Sequence, residues 1–369
     1  MSPRQRSKSA GKPAKMDIRS VAALAKVSIA TVSRTINRVP SVDPKIAKRV
    51  WSAIEKLQYF PNTQARSLVS GRTRLLGLIV SEITNPFFPE LIQSFEEAAV
   101  SRGYEILIGS TNYDPKRVEL CVRRMLERNV EGAAVMTFGI EQPMLEQLAI
   151  RRLPLVFVDV RPERPFTTAL IVDYQRGIRE AVQHLAVLGH RDIAFISGPL
   201  HVHSAHSRLQ AFRKAMREIG ARPNDELMAE GNHTADGGFE ATQKLLARPS
   251  LPTAILCSND MTAIGALRAF QERGLRVPED ISVIGFDDIH IAQYTAPPLT
   301  TIRMSCATLA ENAVDALLDH IENGDDAAAS STRAIPTSLV VRQTTGYPRR
   351  QRKGLKSAPA KSGRRSPRR

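Results

Sequence analysis

Aromatic residues are scarce in this chain. Phe, Tyr and Trp make up 5% of its 369 residues, so a core must be filled by the aliphatic side chains of a sequence that is 42% hydrophobic. Cysteine is scarcer. Cys121, Cys257 and Cys306 are odd in number and far apart, which excludes a disulfide framework and reads as reduced packing residues of a cytosolic protein. No stretch of eighteen apolar residues occurs, so no membrane-spanning helix is expected. The basic N-terminus is not followed by the apolar segment of a secretory signal. Gly-rich phosphate loops and the GKS/T, GxSxG and HExxH patterns are missing as well, which argues against an enzyme, and no cofactor or metal is expected.

What is present is positive charge, unevenly placed. The formal balance is +15, and the two termini alone carry fifteen cations without an acid: five in residues 1–15 and ten in residues 349–369. Both termini are polar, rich in Ser, Pro and Lys or Arg, and read as disordered tails. Residues 16–74 hold eleven Lys and Arg against Asp17, Asp43 and Glu55, whereas residues 75–348 are acidic by eight. A basic first module beside an acidic body suggests that the first module is the part that meets a polyanion.

Residues 17–59 read as three short helices. The first spans about Ile18–Ala25, with Val21, Ala22, Leu24 and Ala25 facing inward. A tight turn at Lys26–Ser28 leads, through Ser28 as N-cap, to a second helix at about Ile29–Asn37 packed by Val32 and Ile36. The third starts at Pro44 and runs to about Gln58, with Ile46, Val50, Ile54 and Leu57 as its stripe. Beyond Thr63–Arg74, a polar segment holding the isolated apolar pair Leu68–Val69, short apolar runs alternate with amphipathic stretches: LLGLIV (75–80), YEILIG (104–109), GAAVMT (132–137), PLVFVD (154–159), ALIVD (169–173), DIAFIS (192–197), AILCSN (254–259) and SVIGFDD (282–288). Strand–helix alternation of this kind predicts parallel sheets covered by helices. About ten strands exceed one compact sheet, so an α/β body of two lobes is expected.

Two short helices joined by a tight turn, the second bearing small polar and basic side chains, fit the geometry of a helix-turn-helix in the major groove. The segments DIRSVAALAKVSIATVSRTINR and VDPKIAKRVWSAIEKLQYFPNTQARSL closely resemble the headpiece of the LacI/GalR repressor family. The resemblance continues through NPFF (85–88), LGHRDIAFISGP (188–199), SRLQAF (207–212), SNDMTAIGAL (258–267), VPEDISVIGFDD (277–288) and PPLTTIR (297–303), covering about residues 16–345. It implies a transcription regulator that binds double-stranded operator DNA as a homodimer in the cytoplasm, with a headpiece at 16–62, a hinge at 63–74 and a ligand-sensing and dimerising body at 75–348. The body would resemble periplasmic sugar-binding proteins, two Rossmann-like lobes with ligand between them. The body alone would equally suggest a secreted solute-binding protein; the headpiece and the lack of a signal segment argue against that.

Carried over by position, the resemblance places Ile29 and Ala30 at the base-choosing start of the recognition helix and Arg34 against a base edge, where guanine would accept its bidentate hydrogen bonds. Thr31, Ser33, Asn37 and Asn62 fall at phosphate-contacting positions. Ala65, Arg66 and Leu68 lie in the hinge, where the leucine would wedge into the minor groove at the operator centre. Lys26 stands where the family usually has glycine; if the backbone there is left-handed, Lys costs ~1 kcal/mol.

In the body, ligands of such sheets bind at the carboxyl ends of strands. Asn85, Asp159, Asn259, Asp260 and Asp287 follow strand ends and match family ligand or cleft positions. Arg208 would clamp vicinal hydroxyls, Phe87 and Phe88 would wall the cleft, and His233 stands where relatives stack an aromatic ring on the ligand. Asp173 reads as a helix N-cap. His201, His203 and His206 cluster near the cleft; His203 is assigned to the ligand, while the group as a whole could bind metal, donate to an anionic or oxygen-rich ligand, or be solvated. The purine repressors carry arginine where this chain has Val202, which weighs against a purine and leaves a sugar or sugar derivative as the expected effector.

Overall fold

The computed structural model describes residues 17–37, 39–60, 71–137, 151–160, 164–248, 251–324 and 330–349, which divide between Thr73 and Arg74 into two compact units. Both charged tails, most of the helix expected between 137 and 154, and Asn62, Ala65, Arg66 and Leu68 lie outside the described residues.

The first unit holds helices α1 (Ile18–Ala25), α2 (Ile29–Ile36) and α3 (Pro44–Leu57). Each begins where the sequence supplies an acceptor for an otherwise unpaired amide. Asp17 accepts from Ser20 N at 3.0 Å, Ser28 from Thr31 N at 3.1 Å, and Asp43 from Lys45 N and Ile46 N at 2.9 and 3.1 Å. Val21, Ala22, Ala25, Val32, Val50, Ala53 and Ile54 form the core.

One expectation about this core is corrected. Leu24 faces outward, 43% exposed, because it falls roughly a quarter-turn away from the Val21–Ala22–Ala25 stripe. In α2 Ile36 packs half-buried against this core, as expected, but the residue fully buried beside Val32 is Thr35, which the stripe did not include. Thr35 can be buried because its hydroxyl donates to the Thr31 carbonyl at 2.9 Å, which satisfies its polar atom and leaves the methyl for packing.

The second unit contains two six-stranded sheets. The first runs in the order β11–β5–β4–β3–β1–β2 and is wholly parallel; its strands are β1 (Leu75–Val80), β2 (Glu105–Ser110), β3 (Gly132–Met136), β4 (Leu155–Val158), β5 (Thr167–Val172) and β11 (Ser331–Ile335). The second runs β12–β10–β9–β8–β6–β7, built from β6 (Ile193–Ser197), β7 (Met228–Glu230), β8 (Ala254–Cys257), β9 (Ser282–Asp287), β10 (Thr300–Met304) and β12 (Thr337–Val340); only the edge strand β12 is antiparallel. Helices α4 (Phe87–Ser101), α5 (Pro115–Glu127) and α10 (Cys306–Asn323) cover the first sheet, and α6 (Tyr174–Val187), α7 (His203–Glu218), α8 (Ala235–Leu246) and α9 (Asp260–Glu272) the second. The chain passes between lobes three times, after Val172, after Met304 and after Ile335.

The eight apolar runs read from the sequence all form strands. The four strands outside those runs are short or at sheet edges, or carry polar residues as in TTIRM and STRAI, so periodicity does not mark them. Among the described residues no helix is long and apolar enough to cross a membrane.

In the first unit two non-glycine residues take left-handed backbone, Gln58 at the end of α3 (φ 47°) and Lys26 in the turn after α1. Lys26 lies in the left-handed region (φ 54°, ψ 51°), held there by Arg49 of α3, which donates to the carbonyls of Ala25 and Lys26. Replacing Lys26→Gly removes the Cβ clash. We expect denaturant unfolding of the headpiece to shift by about 1 kcal/mol toward greater stability; a destabilised variant would show that the lysine side chain contributes more than its backbone costs.

Candidate functional site

The exposed face of α2 gathers most of the residues assigned to DNA. Ile29, Ala30, Arg34 and Asn37 are exposed, and Thr31 and Ser33 are half-exposed, while Val32 and Thr35 turn inward to the core. Thr31 is partly committed to its own helix, since its hydroxyl lies 2.9 Å from Ser28 Oγ. A rigid helix thus presents its N-terminal turns and one guanidinium outward, the arrangement that suits a major groove.

In the second unit a cleft between the two sheets, open in part to solvent, spans about 720 Å³. Eight of the nine residues assigned to the ligand line it: Asn85, Phe87, Phe88, Asp159, Arg208, His233, Asn259 and Asp287. They converge because β1, β4, β8 and β9 all end on the same side of their parallel sheets, so the turns that follow face one another.

At its centre is Arg208, 6% exposed. Its Nη1 donates to the Ser258 carbonyl at 2.5 Å, and its Nη2 stands 3.6 Å from Asp287 Oδ1. The guanidinium lies 4.0 Å from the ring centre of Phe286 and 5.0 Å from that of Tyr174, so two π faces help to hold the charge. Its Nε, buried, has no hydrogen-bond partner among the described residues.

Around this cation sit acceptors whose own acidity is perturbed. Burial pushes Asp287 up to about 7, with Glu90 adding to the rise and Arg208 opposing it. Burial also raises the Asp159 carboxyl, offset in part by the Tyr174 hydroxyl that donates to it and by Val172 N at 3.0 Å. His233 is driven the other way, to about 3, by burial and then by Arg208, so it is neutral at physiological pH; its Nε2 lies 3.0 Å from Ser258 Oγ. Asn259 caps α9 through Thr262 N at 2.9 Å and donates to the His233 carbonyl at 2.9 Å, and Asn85 accepts from Phe87 N at 3.1 Å. The backbone is left-handed at Asp159 (φ 57°), His233 (φ 65°) and Asp287 (φ 113°). Such strain, about 1–3 kcal/mol per residue, is retained where it aims a side chain.

The lobes also touch directly across the cleft. Glu90 of α4 accepts from the backbone N of His290, which follows β9, at 2.8 Å.

Two assignments are corrected. His203 does not line this cavity: it lies on the outward face of α7 and borders a neighbouring groove. Asp260 is fully buried outside the cavity and accepts from Thr301 Oγ1 at 2.5 Å and Ile289 N at 2.9 Å, pinning the turn after β9. Asp173 caps α6 through Arg176 N at 3.0 Å, as read from the sequence. Among the described residues no group of three His, Cys, Asp or Glu side chains converges as a metal site. Residues missed by the sequence reading include Ser81, Tyr113, Thr137, Tyr174 and Ser204, all in the cavity wall. The two tyrosines follow β2 and β5, so the strand-end rule would have found them had it been applied to aromatics.

Residues 17–62 match the bacterial regulatory proteins of the lacI family, and residues 182–345 a periplasmic binding protein-like domain. The HTH-type transcriptional repressor PurR of Haemophilus influenzae is 37% identical over 330 residues, 89% of this chain and 98% of that protein. A solved lac repressor dimer bound to operator and the anti-inducer ONPF has a TM-score of 0.78 at 30% identity, covering 90% of this chain and 99% of its own. A complex of the transcriptional regulator CelR with cellobiose gives 0.65 at 28%, covering 89% and 100%. A helical headpiece joined to a two-lobed, periplasmic-binding-protein-like body therefore defines a bacterial regulatory protein. The chain belongs to the lacI family.

The placement of His233 depends on Gly198, where a Cβ would come within 1.9 Å of His233 Nε2. Replacing Gly198→Ala must push the imidazole out of its slot. We expect His233, which burial and Arg208 hold down to about 3, to regain in the variant an ordinary histidine midpoint near about 6.5, read from its imidazole resonance. An unchanged titration would show that His233 is held by contacts other than this slot.

Proposed function

We propose that this protein is a cytoplasmic transcriptional repressor that binds a near-palindromic operator as a homodimer and responds to a small neutral, hydroxyl-rich effector, of sugar type, in the interlobe cleft. The exposed face of α2 is the observation that carries the DNA half. Ile29 and Ala30 contact thymine methyls or leave discrimination to DNA shape, Arg34 reads a base edge, and Thr31, Ser33, Asn37 and Asn62 hold phosphates. Ala65, Arg66 and Leu68 form the hinge element, with the leucine wedged at the operator centre. The dimeric, operator-bound state of the lac repressor relative supports the pairing of subunits. No catalytic step is assigned to any residue.

The charge of the cleft supports the effector class. Two carboxylates, Asp159 and Asp287, face one guanidinium already engaged with Ser258 and Asp287, and His233 is neutral. An anionic ligand would meet more negative than positive groups, whereas hydroxyls can both donate to the carboxylates and accept from Arg208. Relatives solved with cellobiose or ribose support the same class. A planar nucleobase is the second reading, favoured by the aromatic lining of Phe87, Phe88, Tyr113 and Tyr174 and by the PurR relatives.

The DNA half is tested by selecting an operator from random duplexes and measuring its affinity for Arg34→Ala. Loss of a bidentate base contact should weaken operator binding by about tenfold to a hundredfold while leaving binding to random duplex nearly unchanged; equal operator affinity would refute the assignment of Arg34.

The effector half has a pH signature. With its carboxyl raised to about 7 by burial, Asp287 favours the folded state at low pH. That contribution is lost as pH rises through about 7. A ligand hydroxyl that donates to Asp287 favours the ionised form, so binding releases a proton and tightens as pH rises from about 6 to about 8. A panel of sugars, polyols and nucleobases screened by thermal shift at both pH values should show a larger ligand-induced rise in Tm at the higher pH. A ligand whose effect shrinks with rising pH would show that Asp287 acts as a donor and would favour the nucleobase reading.

A further inference from the structure

The second helix of the headpiece is thinly anchored. The core of that unit takes Val21, Ala22 and Ala25 from α1 and Val50, Ala53 and Ile54 from α3, but only Val32 from α2 among the described residues. Thr35, the other buried residue of α2, spends its hydroxyl within its own helix. The direction in which α2 points therefore depends on the turn that leads into it, Lys26–Ser28.

That turn has a defined lock. Lys26 N donates to the Ala23 carbonyl at 3.3 Å and Val27 N to the Ala22 carbonyl at 3.0 Å, the pairing that closes a helix with a left-handed residue, here Lys26. Glycine enters that region freely, whereas a residue with a Cβ must be held there. The carbonyls of Ala25 and Lys26 lie beyond the reach of amides in α1. Arg49 reaches them from α3: its Nη2 donates to the Ala25 oxygen and, at 3.3 Å, to the Lys26 oxygen. The first carbonyl belongs to the peptide plane before the Lys26 Cα and the second to the plane after it. One charge-assisted donor thus fixes both φ and ψ of the strained residue. Relaxation of Lys26 from φ 54° to the right-handed region would turn the chain by about 120° just before Ser28 caps α2.

We propose that Arg49 is a positioning residue for DNA recognition, which sets the angle of α2 by locking the Lys26 turn and does not itself touch DNA. Arg49 and Lys26 form a functional pair: the guanidinium supplies the constraint that the lysine backbone needs, and a glycine at position 26 would make it dispensable. Arg34 and Arg49 then have separate duties, the first reading a base from the exposed face of α2 and the second holding that face in place. The inference rests on the reading of α2 as the helix that meets DNA.

The test uses the full-length protein and an operator selected from random duplexes for the parent. Arg49→Met keeps most of the aliphatic stem and removes the donors. It should weaken operator binding at least tenfold, leave random-duplex binding nearly unchanged, and leave the salt slope of operator binding as in the parent. Adding Lys26→Gly to Arg49→Met should restore operator affinity to within threefold. Trp51, the only tryptophan of the chain and part of α3, reports headpiece unfolding throughout. If Arg49→Met alone unfolds the headpiece, the double variant carries the test, and it should recover both fold and affinity. A salt slope smaller by about 0.9 in Arg49→Met would mean that Arg49 neutralises a phosphate. That result, or a double variant that does not regain affinity, would overturn the proposal. Arg34→Ala in the same assay separates the two levels. If it weakens binding while Arg49→Met does not, the role of Arg49 alone is refuted; if neither weakens binding, the assignment of α2 to DNA falls and takes the role of Arg49 with it.

Discussion

A buried guanidinium organises the body of this protein. Charged groups taken out of water are held only when protein atoms replace the lost solvation, and Arg208 is supplied from three elements at once: the Ser258 carbonyl after β8, Asp287 at the end of β9, and the rings of Phe286 and Tyr174. Each of those elements is thereby drawn toward the cleft. The supply is incomplete, because Asp287 stands at 3.6 Å and Nε has no partner among the described residues. The cleft is thus a polar site with unmet hydrogen-bonding capacity on Arg208 and Asp287. A ligand that completes the set is bound where the protein has already met most of the desolvation cost.

The position of this centre matters as much as its chemistry. Asp159 and Asn85 follow strands of the first sheet, whereas Arg208, Asn259 and Asp287 belong to the second. A ligand that bonds to both sets has a different affinity for an open and a closed arrangement of lobes, which is the one physical means by which binding can shift a conformational equilibrium. Three crossovers join the two lobes, and Glu90 links α4 to His290 across the gap. A differential affinity of a hundredfold corresponds to about 2.7 kcal/mol, within the usual range of coupling energies.

Much of this architecture was legible in the sequence, and the exceptions have identifiable causes. Buried parallel strands write themselves as continuous apolar runs, so all inner strands but one were found; of the four missed, β7, β11 and β12 lie at sheet edges, and the inner strand β10 reads TTIRM, too polar for periodicity to mark. The caps at Asp17, Ser28, Asp43 and Asp173 were local features and were readable. Which side chain of a helix faces inward was less so: Leu24 turned out, and Thr35 turned in because its hydroxyl found a carbonyl four residues back. In the cleft, residue-by-residue resemblance assembled eight of nine assigned side chains, yet it could not tell Arg208 on the inner edge of α7 from His203 on its outer face, since helix rotation is a tertiary fact. Nor could it separate Asn259, which faces the cavity, from its neighbour Asp260, which is wholly buried beneath it.

The central claim is that filling the cleft changes how the paired headpieces hold DNA. The most direct measurement is the dissociation constant of the full-length protein for its selected operator, taken without ligand and then at saturating concentration of whichever compound stabilises the body. The account predicts a change of fivefold or more in one direction, with no comparable change on random duplex. A ligand proven to occupy the Arg208–Asp287 cleft that leaves operator affinity unaltered would contradict it.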